Sequence, residues 1–270
     1  MNMLIDINAY VGHWPFRNLT NNTLNGLDEL AQQYDVTHMV VANINGFFYK
    51  DANTANLELL EELKAYNGKT QFLPLAIVNP TYPAWEKDAR DMIAAGFAGF
   101  ELAPIYHGYS LAPEFLYDSY YPAHRALEVL NLAEELDVPV RICSSIENYR
   151  GRSHLDNFNN ITGEDYFALL SKNKNVHVFC TSFTAAAAGE HFSALLKERK
   201  NTYFDTTQFG IFTLAGGKPT MNTISDEQLC FGSLSPFFYM ESALIRTNYC
   251  PEFNFEKIRS NPARAFKALR

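Results

Sequence analysis

Eight short apolar runs alternate with helical segments along this chain, and this alternation is the feature that most limits how it can fold. The first run opens at Met3 and stops at Gly12, and the others span residues 37–42, 71–78, 98–102, 139–143, 176–180, 202–206 and 229–231. They are continuously apolar, which is typical of parallel strands covered by helices on both faces. Eight such units favour a closed (β/α)8 TIM barrel, an α/β fold, over an open doubly wound sheet. No G-x-G-x-x-G follows the first run, so a dinucleotide-binding fold loses its main support.

The segments between the runs carry apolar residues at helical spacing. This spacing predicts helices over residues 24–34, 54–66, 83–95, 122–136, 162–172 and 185–200, with one or two closing helices over 254–269. Pro83 is expected at the first position of its helix, where a missing N–H costs nothing. Thr162 is expected to cap the helix that follows it.

Length and composition narrow the class of protein. The chain has 270 residues, 47% of them hydrophobic, with a net charge of −8. This suits one barrel domain over residues 1–270, since such barrels need roughly 250 residues. An acidic balance argues against a nucleic-acid partner. No apolar stretch is long enough to span a membrane and no signal peptide is visible, so a cytoplasmic protein is expected.

The four cysteines show neither a C-x-x-C spacing nor a disulfide framework. They are Cys143, Cys180, Cys230 and Cys250. Three of them lie in apolar runs, so we expect buried thiols in a reducing compartment, without a zinc site.

The end of the first run is unusually crowded. Asp6, Asn8 and Tyr10 are two residues apart and are therefore expected on one face of the strand. After Val11 and Gly12 come five closely spaced functional groups: His13, Trp14, Pro15, Phe16 and Arg17. Two interpretations stay open: an aromatic plug that shields the core from solvent, or the floor of a pocket with a polar rim.

The same segment resembles the start of the amidohydrolase-related (metal-dependent hydrolase) family of TIM barrels. In that family the first strand ends in Asp-x-His-x-His-x-Gly, and both histidines bind a catalytic metal. Here the pattern reads Asp6-x-Asn8-x-Tyr10-x-Gly12. Further short segments follow in the family's order: residues 96–102, 137–143, 176–181, 201–206, 231–236 and 261–264.

The resemblance also marks five positions where the family holds its metal ligands and its general base. In this chain they carry Asn8, Tyr10, Cys143, Thr181 and Leu234. A divalent transition metal prefers imidazole, carboxylate or thiolate ligands, and one thiol does not make a site. The resemblance with these replacements therefore implies no metal cofactor, no metal-activated water and no base in the usual place.

Other polar residues after the strands are candidates for binding or catalysis. On the first loop, His13 is a candidate proton donor or acceptor and Arg17 a candidate ligand for a carboxylate or phosphate. Tyr106, His107 and Glu147 fall on later loops at the same face of the barrel and suit a small oxygen-rich ligand. The alternative for all five residues is ordinary packing of the loops.

The fifth strand carries two further candidates, Arg141 and Cys143, which are expected to share a face. A guanidinium inside a barrel must be paired, and Glu101 of the fourth strand is the nearest candidate partner. Arg141 is otherwise an anion-binding group. Cys143 is either a nucleophile that needs a nearby base, or a residue that fills the volume of a lost ligand.

Two functions follow as hypotheses. The first is metal-independent chemistry on a small anionic compound, either hydrolysis of a lactone or ester or a decarboxylation, because the resembled group includes lactonases and decarboxylases. The second is a catalytically inactive barrel that binds a small molecule or assembles with identical subunits. Asn8 and Tyr10 are further candidate ligand-binding residues. Fold alone does not choose between them.

Overall fold

The computed structural model describes residues 3–112, 125–146, 161–183, 188–207, 224–249 and 254–270. Eight parallel strands stand side by side in sequence order, each paired with the next. They are β1 (Ile5–Val11), β2 (His38–Asn43), β3 (Gln71–Ile77), β4 (Gly99–Leu102), β5 (Val140–Cys143), β6 (Val178–Thr181), β7 (Thr202–Asp205) and β8 (Leu229–Cys230). The predicted (β/α)8 barrel is confirmed.

The barrel closes between β1 and the segment that follows β8. The N–H of Ile7 donates to the carbonyl of Phe231 at 3.0 Å, and that of Tyr10 donates to Ser235 at 2.9 Å. The Asp6 carboxylate accepts a hydrogen bond from the N–H of Ser233 at 3.0 Å and a second from the Ser233 hydroxyl. Side chain and backbone together therefore seal the last seam of the barrel.

The helices follow the strands, and most lie close to the predicted positions, while those at residues 104–107 and 240–249 were not predicted. The helices are α1 (Leu24–Gln33), α2 (Ala52–Ala65), α3 (Trp85–Ala94), α4 (Pro104–His107), α5 (Arg125–Leu136), α6 (Gly163–Leu170), α7 (Gly189–Glu198), α8 (Met240–Tyr249) and α9 (Phe255–Ser260). Thr162 caps α6 in a capping box with Asp165, as expected. The expected start at Pro83 is wrong, since α3 begins two residues later and its N-cap is Ala84.

Two buried apolar clusters lie on the two sides of the barrel wall. The outer cluster joins strand residues such as Val41 and Phe204 to helix residues such as Leu27. The inner cluster contains alternate strand residues, among them Ile7 and Phe179. Because side chains alternate along a strand, this division follows from strand geometry.

β1 departs from this alternation. Its pairing with β2 shifts by one residue between Asp6 and Ala9. Ile7 and Tyr10, three residues apart, consequently both belong to the inner cluster. A bulge between Asp6 and Ala9 therefore interrupts the strict alternation on which the expected shared face of Asp6, Asn8 and Tyr10 was based.

The cysteines of the described residues are buried, as expected from the apolar runs that contain them. Cys143, Cys180 and Cys230 are buried thiols, while Cys250 lies outside the described residues. Within the segments that the structure describes, no helix is both long and apolar enough to cross a membrane.

Candidate functional site at the carboxyl ends of the strands

The loop after β1 covers part of the barrel mouth with aromatic rings. Trp14 is only 1% exposed, and its ring meets Phe16, Phe48 and Phe237 edge-on at centroid distances of 5.2, 5.3 and 5.0 Å. Edge-to-face contacts at such distances are favourable. For Trp14 the structure supports the aromatic-plug interpretation.

The two charged candidates of this loop lie outside the plug. His13 is exposed, and its backbone N–H donates to the Asn45 Oδ1 at 2.7 Å. Arg17 is also exposed; its Nη2 donates to the carbonyl of Phe237 at 2.9 Å, with the guanidinium 5.9 Å from that ring's centre. The two residues thus form a polar rim around the plug.

Beneath the plug, Tyr10, Glu101 and Arg141 form a fully buried network. The Tyr10 hydroxyl donates to Glu101 Oε1 at 2.8 Å, and Arg141 Nε donates to Glu101 Oε2. Arg141 Nη1 reaches across the barrel to the carbonyls of Ile7 and Val40 at 2.8 and 3.0 Å. The predicted pairing of Arg141 with Glu101 is confirmed.

This network is electrically neutral only when Glu101 is ionised and Tyr10 is protonated. Burial raises the pKa of the Glu101 carboxyl, and the adjacent Arg141 opposes that rise. Burial also raises the pKa of the Tyr10 phenol well above its usual range. Tyr10 is therefore held as a neutral hydrogen-bond donor and not as a phenolate. Within the described part of the chain, Arg141 Nη2 is buried and has no hydrogen-bond partner.

Cys143 lies beside the network and is a poor nucleophile where it stands. Its polar neighbours are the Tyr10 side chain and the N–H of Ser145. Burial, with a smaller contribution from the charge of Glu101, raises the pKa of the Cys143 thiol. A thiolate needs the opposite environment, either a cationic neighbour that outweighs burial or a base in contact.

Asn8 belongs to a second buried polar group, which we call the Asn8–Asp205 cluster (Asn8, Ser182, Asp205 and Thr207). Asn8 Nδ2 donates to Asp205 Oδ2 at 2.6 Å and lies 3.2 Å from Ser182 Oγ and 3.4 Å from Thr207 Oγ1. The Ser182 N–H donates to Asp205 Oδ1 at 2.8 Å, and the Thr207 hydroxyl donates to Asp205 Oδ2. The cluster joins the carboxyl ends of β1, β6 and β7.

Asp205 was not a candidate from the sequence. Burial raises the pKa of its carboxyl, and the hydrogen bonds from Thr207 and Asn8 act against that rise. The signal in the sequence was the polar run Asp205-Thr206-Thr207 at the end of an apolar strand. Catalytic groups of TIM barrels lie at such strand ends.

The remaining positions of the resembled metal centre carry no suitable donor. Thr181 Oγ1 lies 3.4 Å from the carbonyl of Ile142, and Leu234 is fully buried in the inner cluster with Tyr10 and Cys143. Leu234 also adopts a left-handed backbone, with φ of 58°. No three His, Cys, Asp or Glu side chains come together as metal ligands among the described residues. A neutral phenol, a protonated thiol, an amide, a hydroxyl and a leucine do not fit a catalytic transition metal.

The segment after β4, predicted as a loop, forms the short helix α4, which contributes aromatic packing and one histidine with a shifted pKa. Tyr106 packs on Trp14 and on Phe47, with ring centroids 6.1 and 5.0 Å apart. His107 Nε2 lies 3.0 Å from the carbonyl of Gly46, and burial lowers the pKa of this imidazole to about 4. His107 is therefore neutral at pH 7. Glu147 lies outside the described residues.

Comparison with known proteins gives a likeness of structure without a likeness of sequence. No protein-family model matches the chain, and no curated protein matches it. Among solved structures, 2,6-dihydroxybenzoate decarboxylase from Rhizobium matches with a TM-score of 0.69 at 14% identity, over 99% of each chain. A dihydroxybenzoic acid decarboxylase from a Polaromonas species, solved with manganese and 2-nitroresorcinol, matches with 0.67 at 13% identity, over 100% of this chain and 98% of its own.

A third structure, from a Staphylococcus aureus protein provisionally assigned as an amidohydrolase, has a TM-score of 0.67 at 15% identity. That match covers 97% of this chain and 99% of the other. At identities this low the likeness concerns the fold. The chain thus has the eight-stranded barrel fold of amidohydrolase-family structures over nearly its whole length.

Proposed function

We propose that this amidohydrolase-like barrel binds a small anionic molecule at its mouth and does not catalyse metal-dependent hydrolysis. The observation that carries the proposal is the position of Tyr10. Its ring centre lies 4.6 Å from the guanidinium carbon of Arg141, its hydroxyl is bound to Glu101, and Phe47 and Phe237 meet it edge-on. A packed aromatic ring therefore stands where the resembled pattern has an imidazole ligand.

The chemistry of the neighbouring positions supports the same proposal. A metal bound by Tyr10 and Cys143 would require both groups to lose their protons, although burial raises the pKa of each. Ligands must be deprotonated to bind, so this cost is subtracted from metal affinity. Leu234 has no atom that could compensate.

The charge of the rim supports an anionic ligand. The whole chain carries a net charge of −8, yet the exposed residues beside the plug include Arg17, whose guanidinium lies 5.9 Å from the centre of the Phe237 ring. A local basic group on an acidic protein attracts anions to one place on its surface. A guanidinium is also suited to bidentate contact with a carboxylate.

Two measurements test the proposal together. The dialysed protein, incubated with excess zinc or manganese and dialysed again, is expected to retain much less than one metal ion per chain by elemental analysis. A panel of small carboxylates is expected to raise the unfolding temperature, and Arg17→Gln is expected to reduce that shift. Arg90→Gln, an exposed arginine on α3, is the matched control and should not reduce it. About one retained metal ion per chain would overturn the metal-free assignment, and no carboxylate shift would overturn the ligand class.

Metal-independent chemistry is the second candidate, and the Asn8–Asp205 cluster favours it. Asp205 ends β7 at the barrel mouth, and burial raises the pKa of its carboxyl, as is common for groups that exchange a proton with a substrate. Hydrolysis of a lactone or ester, or a decarboxylation, is the chemistry in question. Asp205→Asn would then abolish turnover of a responsive lactone while carboxylate binding persists. Absence of turnover across lactone, ester and aromatic-acid panels removes this candidate.

Assembly of identical subunits stays a prediction. Tyr239, just before α8, is 81% exposed, and Ile245 within α8 is 57% exposed. Such residues suit a contact between subunits but do not require one. Light scattering on the purified protein measures the mass directly, and the mass of a single chain would remove this prediction.

A further inference from the structure

The Asn8–Asp205 cluster is short of hydrogen-bond donors. Asn8 Oδ1 is fully buried and has no hydrogen-bond partner among the residues that the structure describes, although Asn8 Nδ2 is bound within the cluster. A buried amide oxygen left without a donor loses its interaction with water and gains nothing in return. Such an atom calls for an explanation in terms of a missing partner.

The Thr207 hydroxyl shows the same shortage. Its Oγ1 lies within hydrogen-bond distance of two acceptors, Asp205 Oδ2 and the carbonyl of Gly232, the latter at 3.0 Å. A hydroxyl has one hydrogen and satisfies one of them at a time. The cluster therefore has unmet hydrogen-bond acceptors at two places, Asn8 Oδ1 and one acceptor of Thr207.

The charges of Arg141 and Arg246 act on the Asp205 carboxyl, but neither guanidinium forms an ion pair with it. Asp205 is 1% exposed, and no lysine, arginine or histidine of the described segments forms an ion pair with it. Arg246, the nearby cation of α8, donates instead to the carbonyl of Thr207 at 2.9 Å. A buried carboxylate without a paired cation is costly, so a cationic donor would be stabilised here.

We propose that the Asn8–Asp205 cluster is a binding site for a primary ammonium group of a small molecule. An ammonium has three N–H donors and one positive charge. It supplies hydrogens to Asn8 Oδ1 and to the acceptors around Thr207, and its charge compensates Asp205. The site goes beyond the anion-binding rim proposed above, because it involves neither Arg17 nor His13 and recognises the opposite charge.

Ethylammonium and ethanol are the probes, since they share a carbon skeleton and differ in the charged donor group. In the ¹⁵N-labelled protein, ethylammonium is expected to shift the side-chain amide signals of Asn8, assigned through their loss in Asn8→Leu. Ethanol is expected to leave them in place. Equal effects of the two probes, or no effect of either, would overturn the proposal.

Variants separate this site from other acidic surfaces. Asp205→Asn keeps the shape of the side chain and removes its charge, so ethylammonium affinity should fall roughly tenfold or more, as expected for a lost charged hydrogen bond. Asp137→Asn, at an exposed aspartate, is the matched control and should retain the parent affinity. Equal affinity in Asp205→Asn and the parent would overturn the proposal.

If Asp205→Asn does not fold, as judged by near-ultraviolet circular dichroism, Asn8→Leu takes its place and should also lose ethylammonium binding. Retained binding in a folded Asn8→Leu would overturn the proposal. Carboxylate binding at the rim is measured on the same samples. The proposed ammonium site and the proposed anion-binding rim are therefore tested independently of each other.

Discussion

The guanidinium of Arg141 lies under the ring of Tyr10, with 4.6 Å between its carbon and the ring centre, while both side chains hold the same Glu101 carboxylate. The buried guanidinium of Arg141 is therefore stabilised by a cation–π contact with Tyr10 and by an ion pair with Glu101. The arrangement fixes Tyr10 in place from below. It also means that the three side chains cannot be altered independently.

Removing either Arg141 or Glu101 alone should lower the free energy of unfolding much more than removing both. Arg141→Met leaves Glu101 buried without its cation, and the free energy of unfolding should fall by about 3–5 kcal/mol. The double variant Arg141→Met, Glu101→Leu should recover part of that loss, because no charge is then left unpaired. Urea denaturation of the parent, Arg141→Met, Glu101→Leu and the double variant measures the coupling.

The exposed pair of Arg90 with Glu135 is the control for that cycle. Arg90→Met should leave the urea midpoint nearly unchanged, because exposed ion pairs contribute little. An Arg141→Met protein as stable as the parent would show that the Glu101 carboxylate does not depend on its partner.

His107 should make the protein less stable in mild acid. Its pKa is lowered from 6.5 to about 4, so the unfolded chain binds a proton that the folded chain refuses. The stabilisation is fully present above pH 6.5 and is lost as the pH falls toward 4, by up to about 3 kcal/mol. The difference in unfolding free energy between parent and His107→Gln, measured from pH 7 to pH 4, should change by that amount. A constant difference would contradict the lowered pKa.

Asp6 should make the protein less stable as the pH rises, which is the opposite of the effect of His107. Burial raises the pKa of its carboxyl from 3.8 to about 6, so the folded chain holds a proton that the unfolded chain releases. Its contribution is greatest below pH 3.8 and declines as the pH rises through 6, again by about 3 kcal/mol. Relative to Asp6→Asn, the parent should therefore lose stability between pH 4 and pH 6. Parallel stability curves for the two proteins would refute this assignment.

Placing metal ligands at the five positions of the resembled metal centre tests whether those positions can together bind zinc. The change consists of Asn8→His, Tyr10→His, Cys143→His, Thr181→His and Leu234→Asp. This variant should retain more zinc after dialysis than the parent, and zinc should restore part of any stability that the changes cost. The fourfold variant that keeps Leu234 is the control. Equal zinc content in the fivefold variant and the parent would mean that the five side chains do not converge on one point.

Much of the fold was readable from the sequence because parallel strands buried on both faces appear as uninterrupted apolar runs. The pair of Arg141 with Glu101 was readable too, since a buried guanidinium requires an acid and the adjacent strand offers one. By contrast, α8 was not predicted. Polar Glu241, Ser242 and Arg246 interrupt its apolar positions, and the buried ones, Met240 and Ala243, are few.

The Asn8–Asp205 cluster escaped prediction for a different reason. Its members are up to 199 residues apart in the chain, and no local spacing connects them. The bulge after Asp6 is equally invisible, because the apolar pattern of β1 fits either register. A one-residue shift decides which side chain meets which partner, and only the assembled barrel sets it.

The seam between β1 and residues 231–235 has a consequence for the chain during its synthesis. β1 is synthesised before β2–β8, and one of its edges stays open until the residues after β8 have been made. An open strand edge is a template for pairing with other chains. That edge is therefore unprotected while the seven other strands are synthesised, and this is the interval in which a chaperone or a neighbouring nascent chain has access to it.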